Sequence, residues 1–156
     1  MSNQNITFLQ PPADFAPKVE VASCYCEFED KILLLRRHPA KSNGGTWGVP
    51  AGKLEVDEDA ITAIQRELYE EIGVLVSLKD LHEIGRLYVR IPALDFVYHM
   101  FRTQFSVKPV INLELKEHTE AQWATYEEAL QYNLMPGEHE TLAFYKQFIN
   151  AKTNSD

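Results

Sequence analysis

Between residues 55 and 71 the chain sets seven carboxylates, Glu55, Asp57, Glu58, Asp59, Glu67, Glu70 and Glu71, against a single cation, Arg66. The formal charge of all 156 residues is −8, so most of it is concentrated here. Apolar residues recur at helical spacing through the same stretch. On a wheel of about 100° per residue, Ile64, Leu68 and Ile72 fall within about 60° of Ile61 and form a core-facing stripe with it. This predicts a helix over 57–72, with Asp57 as its N-cap and Gly73 as its stop. Glu67, Glu70 and Glu71 then lie at about 240°, 180° and 280° from Ile61, one acidic patch beside the stripe.

That patch breaks two local rules. Like charges at i, i+3 and i, i+4 cost a few tenths of a kcal/mol each. Anions in the last turns also oppose the helix dipole. A solvated acidic face is the bland alternative, but two violations at one place point to function. A bound divalent cation would reverse the sign of both penalties. Carboxylate oxygens grouped without His or Cys select Mg²⁺ or Mn²⁺ over zinc, and ligands on a helix do not suit a Gly-turned calcium loop.

The rest of the chain supplies a scaffold. Residues 1–17, with Pro11, Pro12 and Pro17, read as an extended arm. Strands are expected over 19–28, 31–37, 81–90, 96–107 and 121–125, with a short extended piece at 47–50. Loops fall at 38–46 and 91–93, helices at 126–132 and 138–150, and a frayed polar tail at 151–156. Interleaved strands and helices make the class α/β or α+β, in one domain over 18–150. The longest aliphatic run is Ile32 to Leu35, and the N-terminus lacks a basic flank and an apolar core, so neither a membrane span nor a secretion signal is read. Two cysteines, Cys24 and Cys26, project from one strand face and make no disulfide framework; a reducing cytoplasm fits. The acidic balance argues against duplex nucleic acid as a partner. Apolar and aromatic positions after Phe96 suit a core or a homodimer interface equally.

At this point the sequence resembles a known family. Gly52, Glu58 and the run Arg66-Glu67-Leu68-Tyr69-Glu70-Glu71-Ile72-Gly73-Val74 match the Nudix box, G-x5-E-x7-R-E-U-x-E-E-x-G-U with U aliphatic, at every specified position. The box spans 23 of the 156 residues. Leu33-Leu34-Leu35-Arg36-Arg37 upstream and Trp47 to Gly52 leading in are also similar to the family. The resemblance implies an α/β/α sandwich, a mixed sheet between helices with the box as a loop-helix-loop. It implies hydrolysis of a nucleoside diphosphate linked to another group, with Mg²⁺ as cofactor and Mn²⁺ as a substitute. By the same resemblance Glu67, Glu70 and Glu71 are metal-binding glutamates and Gly52 offers a backbone carbonyl. Arg66 and Glu58 form an ion pair that orients the catalytic helix. A further ligand is expected shortly before a Trp-containing strand. Glu117, six residues before Trp123, is the first candidate, and Glu120 is the second. Glu67 and the loop glutamate are both candidate bases.

Arg36 and Arg37 are read as phosphate contacts or as an edge-strand charge pair. His38, His82, His99, His118 and His139 show no ligand spacing. Trp47 and Trp123 are expected to pack the core. Some of Tyr88, Phe96, Tyr98 and Phe101 line a nucleoside pocket, with alternation sending half to each face. The motifs of coenzyme A and NADH pyrophosphatases are absent. Met135-Pro136-Gly137-Glu138 lacks the Asn that MutT-type sanitising enzymes carry there. A nucleoside triphosphate therefore ranks first as substrate, ADP-ribose or a nucleotide sugar second, and a dinucleoside polyphosphate third. A nucleotide-binding regulator on the same fold is the non-enzymatic alternative.

Overall fold

The computed structural model describes residues 6–92 and 94–154. Its centre is an eight-stranded mixed sheet. In chain order the strands are β1 (Ile6–Phe8), β2 (Pro17–Phe28), β3 (Lys31–Arg37), β4 (Trp47–Gly48), β5 (Ala51–Lys53), β6 (His82–Ile91), β7 (Leu94–Phe105) and β8 (His118–Ala124). The spatial order is β1-β6-β7-β2-β3-β4, with β5 joined to β2 and β8 joined to β3. β2 and β7 run parallel along nearly their whole length, and the other pairings are antiparallel.

Strand alternation divides the core in two. Cys24, Cys26, Leu33, Leu35 and Phe101 face one side and pack against α1 (Ala60–Ile72) through Ala63, Ile64, Leu68 and Ile72. Tyr25, Ile32, Leu34, Leu87, Val89, Tyr98 and Met100 face the other. There they meet α2 (Tyr126–Ala129) and α3 (Glu138–Asn154) through Ala129, Leu142 and Tyr145. This is the expected mixed sheet between helices. Cys24 and Cys26 are free, fully buried and on one face. Phe96, Tyr98, Met100 and Phe101 belong to these two clusters, so that run serves the core. No helix of the described residues is long and apolar enough to cross a membrane.

Several strand and helix bounds shift by two or three residues from the sequence reading, β8 starting at His118 and α2 ending at Ala129 among them, and three differences have a visible cause or consequence. α1 starts at Ala60, and its cap is Asp59, whose carboxylate accepts from the Thr62 N–H at 3.0 Å. Asp57 instead sits in a left-handed turn position, φ 64°, because residues 55–58 close on themselves through Glu58 N–H to Glu55 O (3.1 Å) and Glu55 N–H to Glu58 Oε1 (2.9 Å). In the expected arm, residues 1–5 lie outside the described residues, while Ile6–Phe8 pairs with Tyr88–Arg90 of β6. The segment behind β1 is fastened by Asp14 and Asp95 around Arg90 and by Phe15 edge-on to Tyr88. At the other end α3 runs to Asn154, through most of the expected tail; residues 155 and 156 lie outside the described residues, as does Ala93 of the expected 91–93 loop.

Candidate metal and nucleotide site

α1 ends where Gly73 takes the left-handed conformation, φ 70°, and returns its N–H to the Tyr69 carbonyl. The next open carbonyls are met from far along the chain. Asn112 N–H donates to Ile72 O at 2.8 Å and Glu114 N–H to Glu71 O at 3.0 Å. The 106–117 loop is thereby docked on the acidic end of α1, and it brings Glu114, Lys116 and Glu117 to one side of a cavity of about 910 Å³. β5 supplies Ala51, Gly52 and Lys53, α1 supplies Arg66, Glu67, Glu70 and Glu71, the end of β3 supplies Arg37, and the β3–β4 loop supplies Ser42 and Asn43.

Within this cavity the carboxylates differ sharply. Glu71 is 8 % exposed and Glu70 lies on the outer face. Burial pushes the Glu71 carboxyl well above the usual range; the charges of Glu67 and Glu117 add to this, and an N–H bond from Ala51 at 3.2 Å opposes it. Burial also raises Glu67, against the pull of Arg66. The Glu67 carboxyl lies over Gly52 so closely that a Cβ there would stand 2.1 Å from its Cδ.

Arg66 is the electrostatic hub. Its Nε and Nη2 meet Glu58 at 2.8 and 2.9 Å, its Nη2 donates to Lys53 O at 3.1 Å, and its Nη1 reaches Glu67 at 2.9 Å and Glu70 at 3.1 Å. Those carboxylates, Glu58 first, raise the Arg66 pKa further. Among the described residues no three His, Cys, Asp or Glu side chains are gathered tightly enough to hold a metal ion as they stand, because Arg66 draws Glu67 and Glu70 to itself. The donor set still fits a hard divalent cation. It consists of oxygen ligands only, with a buried carboxyl crowded by two others and the Glu67 carboxyl lying directly against Gly52.

The expected site residues are therefore partly brought together. Gly52, Arg66, Glu67, Glu70, Glu71, Glu117 and Arg37 all line the cavity. Arg36 and Glu120 do not. They face each other across the β3–β8 ladder and pair at 2.9 Å. β8 starts at His118, so Glu120 is committed to a strand whereas Glu117 remains in the loop. Lys53, Lys116, Glu114 and Glu55 also line the cavity and were not singled out from sequence. Lys53 adjoins the box glycine, a signal within reach of the sequence, whereas Glu114 and Lys116 arrive only through loop docking.

A second, smaller pocket of about 210 Å³ adjoins the first, and Val21, Ala51 and Met135 line both. Phe96, Tyr98, Val49 and Val89 make its walls, and Glu138 and Thr141 at the start of α3 close it. Phe101, as alternation requires, is on the opposite sheet face, and Tyr88 packs on Phe15. Glu138 is 8 % exposed; Thr141 donates to its Oε2 at 3.1 Å while Oε1 has no partner. Burial lifts its pKa from 4.5 to about 7. Trp47 packs edge-on to Tyr132 and Trp123 edge-on to Phe28, so both tryptophans are packing residues. His99 is buried with Nε2 2.8 Å from Glu20, away from the acidic cavity.

Comparison with known proteins agrees with this geometry. The family model described as NUDIX domain matches residues 17–147. A CTP pyrophosphohydrolase of Escherichia coli K12 is 30% identical over 122 residues, 77% of this chain and 85% of that protein. The crystal structure of a MutT protein from Methanosarcina mazei Go1 superposes with a TM-score of 0.72 at 24% identity, over 87% of this chain and 96% of that one. A bifunctional NMN adenylyltransferase/ADP ribose pyrophosphatase from Francisella tularensis, complexed with AMP and a Mn ion, superposes with a TM-score of 0.69 at 20% identity, over 86% of this chain and 43% of that one.

Proposed function

The chain belongs to the Nudix hydrolase family, whose members need a divalent metal and act on small-molecule nucleotides, and from that premise we propose that it is a nucleoside triphosphate pyrophosphohydrolase. The observation that carries this reading is that the two cavities adjoin, sharing three lining residues. A polyphosphate lies in the acidic one, and Val21, Ala51 and Met135 lead to an apolar pocket whose volume, about 210 Å³, suits a single base.

In this reading residues 18–150 act as one catalytic unit. Glu67, Glu70, Glu71, Glu117 and the Gly52 carbonyl hold Mg²⁺, or Mn²⁺ in its place. A bound divalent ion offsets the charge of the diphosphate and makes hydroxide accessible from water near neutral pH. Arg66, pinned on Glu58, is bonded to Glu67 and Glu70 and would yield their oxygens to the ion. Lys53, Lys116 and Arg37 face the phosphate oxygens from the walls. Water adds to phosphorus, the anhydride P–O bond breaks, and the products are a nucleoside monophosphate and pyrophosphate. The proton of the attacking water passes to a cavity carboxylate, Glu67 or Glu117. Phe96 and Tyr98 hold the base by its apolar faces, and Glu138 meets its polar edge. The two free, buried thiols are in keeping with a reducing, cytoplasmic setting.

The test is a product-resolved hydrolysis screen with Mg²⁺ and with Mn²⁺. The panel holds the eight common ribo- and deoxyribonucleoside triphosphates, an oxidised guanosine triphosphate, ADP-ribose, a nucleotide sugar and a dinucleoside polyphosphate. Release of pyrophosphate from a triphosphate by the wild type, lost in Glu70→Gln, is the expected result. Turnover confined to ADP-ribose or the nucleotide sugar would replace this reading with the diphosphate-sugar one. Binding without any turnover would replace it with a regulator.

A further inference from the structure

Two of the cations in and beside the acidic cavity, Arg66 and Lys41, are held differently. Arg66 is fixed, with two bonds to Glu58 and one to the Lys53 carbonyl. Lys41 is exposed, and among the described residues the ionic partner of its ammonium is Glu117, at 3.2 Å. The backbone holds this pair in place. His38 N–H donates to Glu117 O at 2.9 Å, and Lys41 N–H donates to His38 O at 3.0 Å. Glu117 lines the cavity and Lys41 itself does not, so the ammonium stands at its edge, 3.2 Å from one of its carboxylates.

Resting on the pyrophosphohydrolase reading, we propose that Lys41 is a substrate-binding residue held in reserve by Glu117. In the metal-free protein its ammonium occupies the Glu117 carboxylate. Once Glu117 is given over to a divalent cation, the ammonium is left without a partner at the edge of a cavity that now contains a polyanion, and it turns to the terminal phosphate. Lys41 thus competes with metal alone and cooperates with metal plus polyphosphate. A purely structural tie between the two loops would move both affinities in the same direction.

Mn²⁺ affinity is measured first on the nucleotide-free protein, by electron paramagnetic resonance of the free ion. Binding of inorganic tripolyphosphate at saturating Mn²⁺ is then measured by calorimetry, which keeps the outcome independent of base identity and turnover. Lys41→Met is expected to tighten Mn²⁺ about two- to fivefold, the range for an exposed ion pair, and to weaken tripolyphosphate about threefold or more. Lys41→Arg restores both. In a Glu117→Gln background, Lys41→Met leaves Mn²⁺ affinity unchanged. The proposal is overturned if Lys41→Met leaves Mn²⁺ affinity unchanged or weaker, or if both ligands shift the same way. It is also overturned if the gain persists without Glu117 or is reproduced by Lys116→Met, which would make it a general field effect, or if tripolyphosphate does not bind the wild type. If no nucleotide is hydrolysed, the proposed activity fails while these titrations still decide the role of Lys41.

Discussion

Gly52→Ala perturbs the site by one methyl group, and its consequence can be worked through from the geometry. Gly52 pairs with Ala22 in the β2–β5 ladder and does not have positive φ, so the backbone accepts alanine without strain. The new Cβ meets Glu67, 2.1 Å from Cδ, 2.2 Å from Oε1 and 2.5 Å from Oε2. Ordinary contact begins at 3.4 Å, so the carboxyl must retreat by roughly 1.3 Å. The obstacle is the end of a flexible side chain, so the fold yields cheaply. Overpacking of rigid cores costs about 1–3 kcal/mol, and about 1 kcal/mol or less is expected here. For a metal ligand the same retreat is more than half of a Mg–O bond of about 2.1 Å, enough to remove the oxygen from the coordination shell.

Melting temperature and Mn²⁺ affinity should therefore separate. Gly52→Ala is expected to melt within a few degrees of the wild type and to lose about tenfold or more in Mn²⁺ affinity. In a Glu67→Ala background, which has no carboxyl to displace, the same substitution should have almost no further effect. A folded Gly52→Ala protein that binds Mn²⁺ within twofold of the wild type would refute the reasoning, because either Glu67 is not a ligand or it does not lie over Gly52.

Three further outcomes are expected. Glu117→Gln lowers Mn²⁺ affinity about tenfold, while Glu120→Gln, which only breaks the cross-strand pair with Arg36, leaves it unchanged in the same titration. Gly73→Ala forces a Cβ into the left-handed cap and to 2.9 Å from Asn112 Cβ, and urea denaturation should show a loss of about 1–2 kcal/mol. Glu138 has a folded pKa of about 7 against an ordinary 4.5, so the folded state binds the extra proton between those values. Its contribution to stability is best at low pH and falls as pH rises through about 7. Glu138→Gln cannot ionise, so in urea titrations its stability relative to the wild type should improve between roughly pH 5 and pH 8, by up to about 3 kcal/mol.

How much of this was legible from sequence depends on where each residue finds its partner. The core stripe of α1, the acidic patch beside it, the Gly73 stop and the Arg66–Glu58 pair are all closed within 23 consecutive residues; local periodicity and spacing reveal the first three, and the resemblance to the box implies the fourth. The N-cap was displaced by two positions because Asp57 and Asp59 are equally good caps, and the choice is made by the 55–58 turn, whose hydrogen bonds leave no pattern in the residue types. β1 was hidden for a different reason. Three residues carry too little alternation to read, and their strand partners lie around Tyr88.

The same distinction decides the site. Sequence offers Glu117 and Glu120 as near equivalents, since both precede Trp123 by a few residues. The fold separates them by starting β8 at His118, after which alternation sends Glu120 to Arg36. Glu117 stays free of the ladder, held by Lys41 from 76 positions away and by the docking of Glu114 on the Glu71 carbonyl. Glu138 reads as an acid favourable to a helix N-terminus, and only the approach of β2, β5, β6 and β7 turns it into a buried carboxyl at the end of an apolar pocket. Helix α1 is thus a local object, visible in the box. Glu138 and the Lys41–Glu117 pair, to which the proposed reading assigns nucleotide choice and metal coupling, are brought to the cavities by long-range pairing. Substitutions at these positions should alter selectivity and metal coupling while leaving the stability of α1 intact, whereas substitutions within the box should damage metal binding whatever the nucleotide.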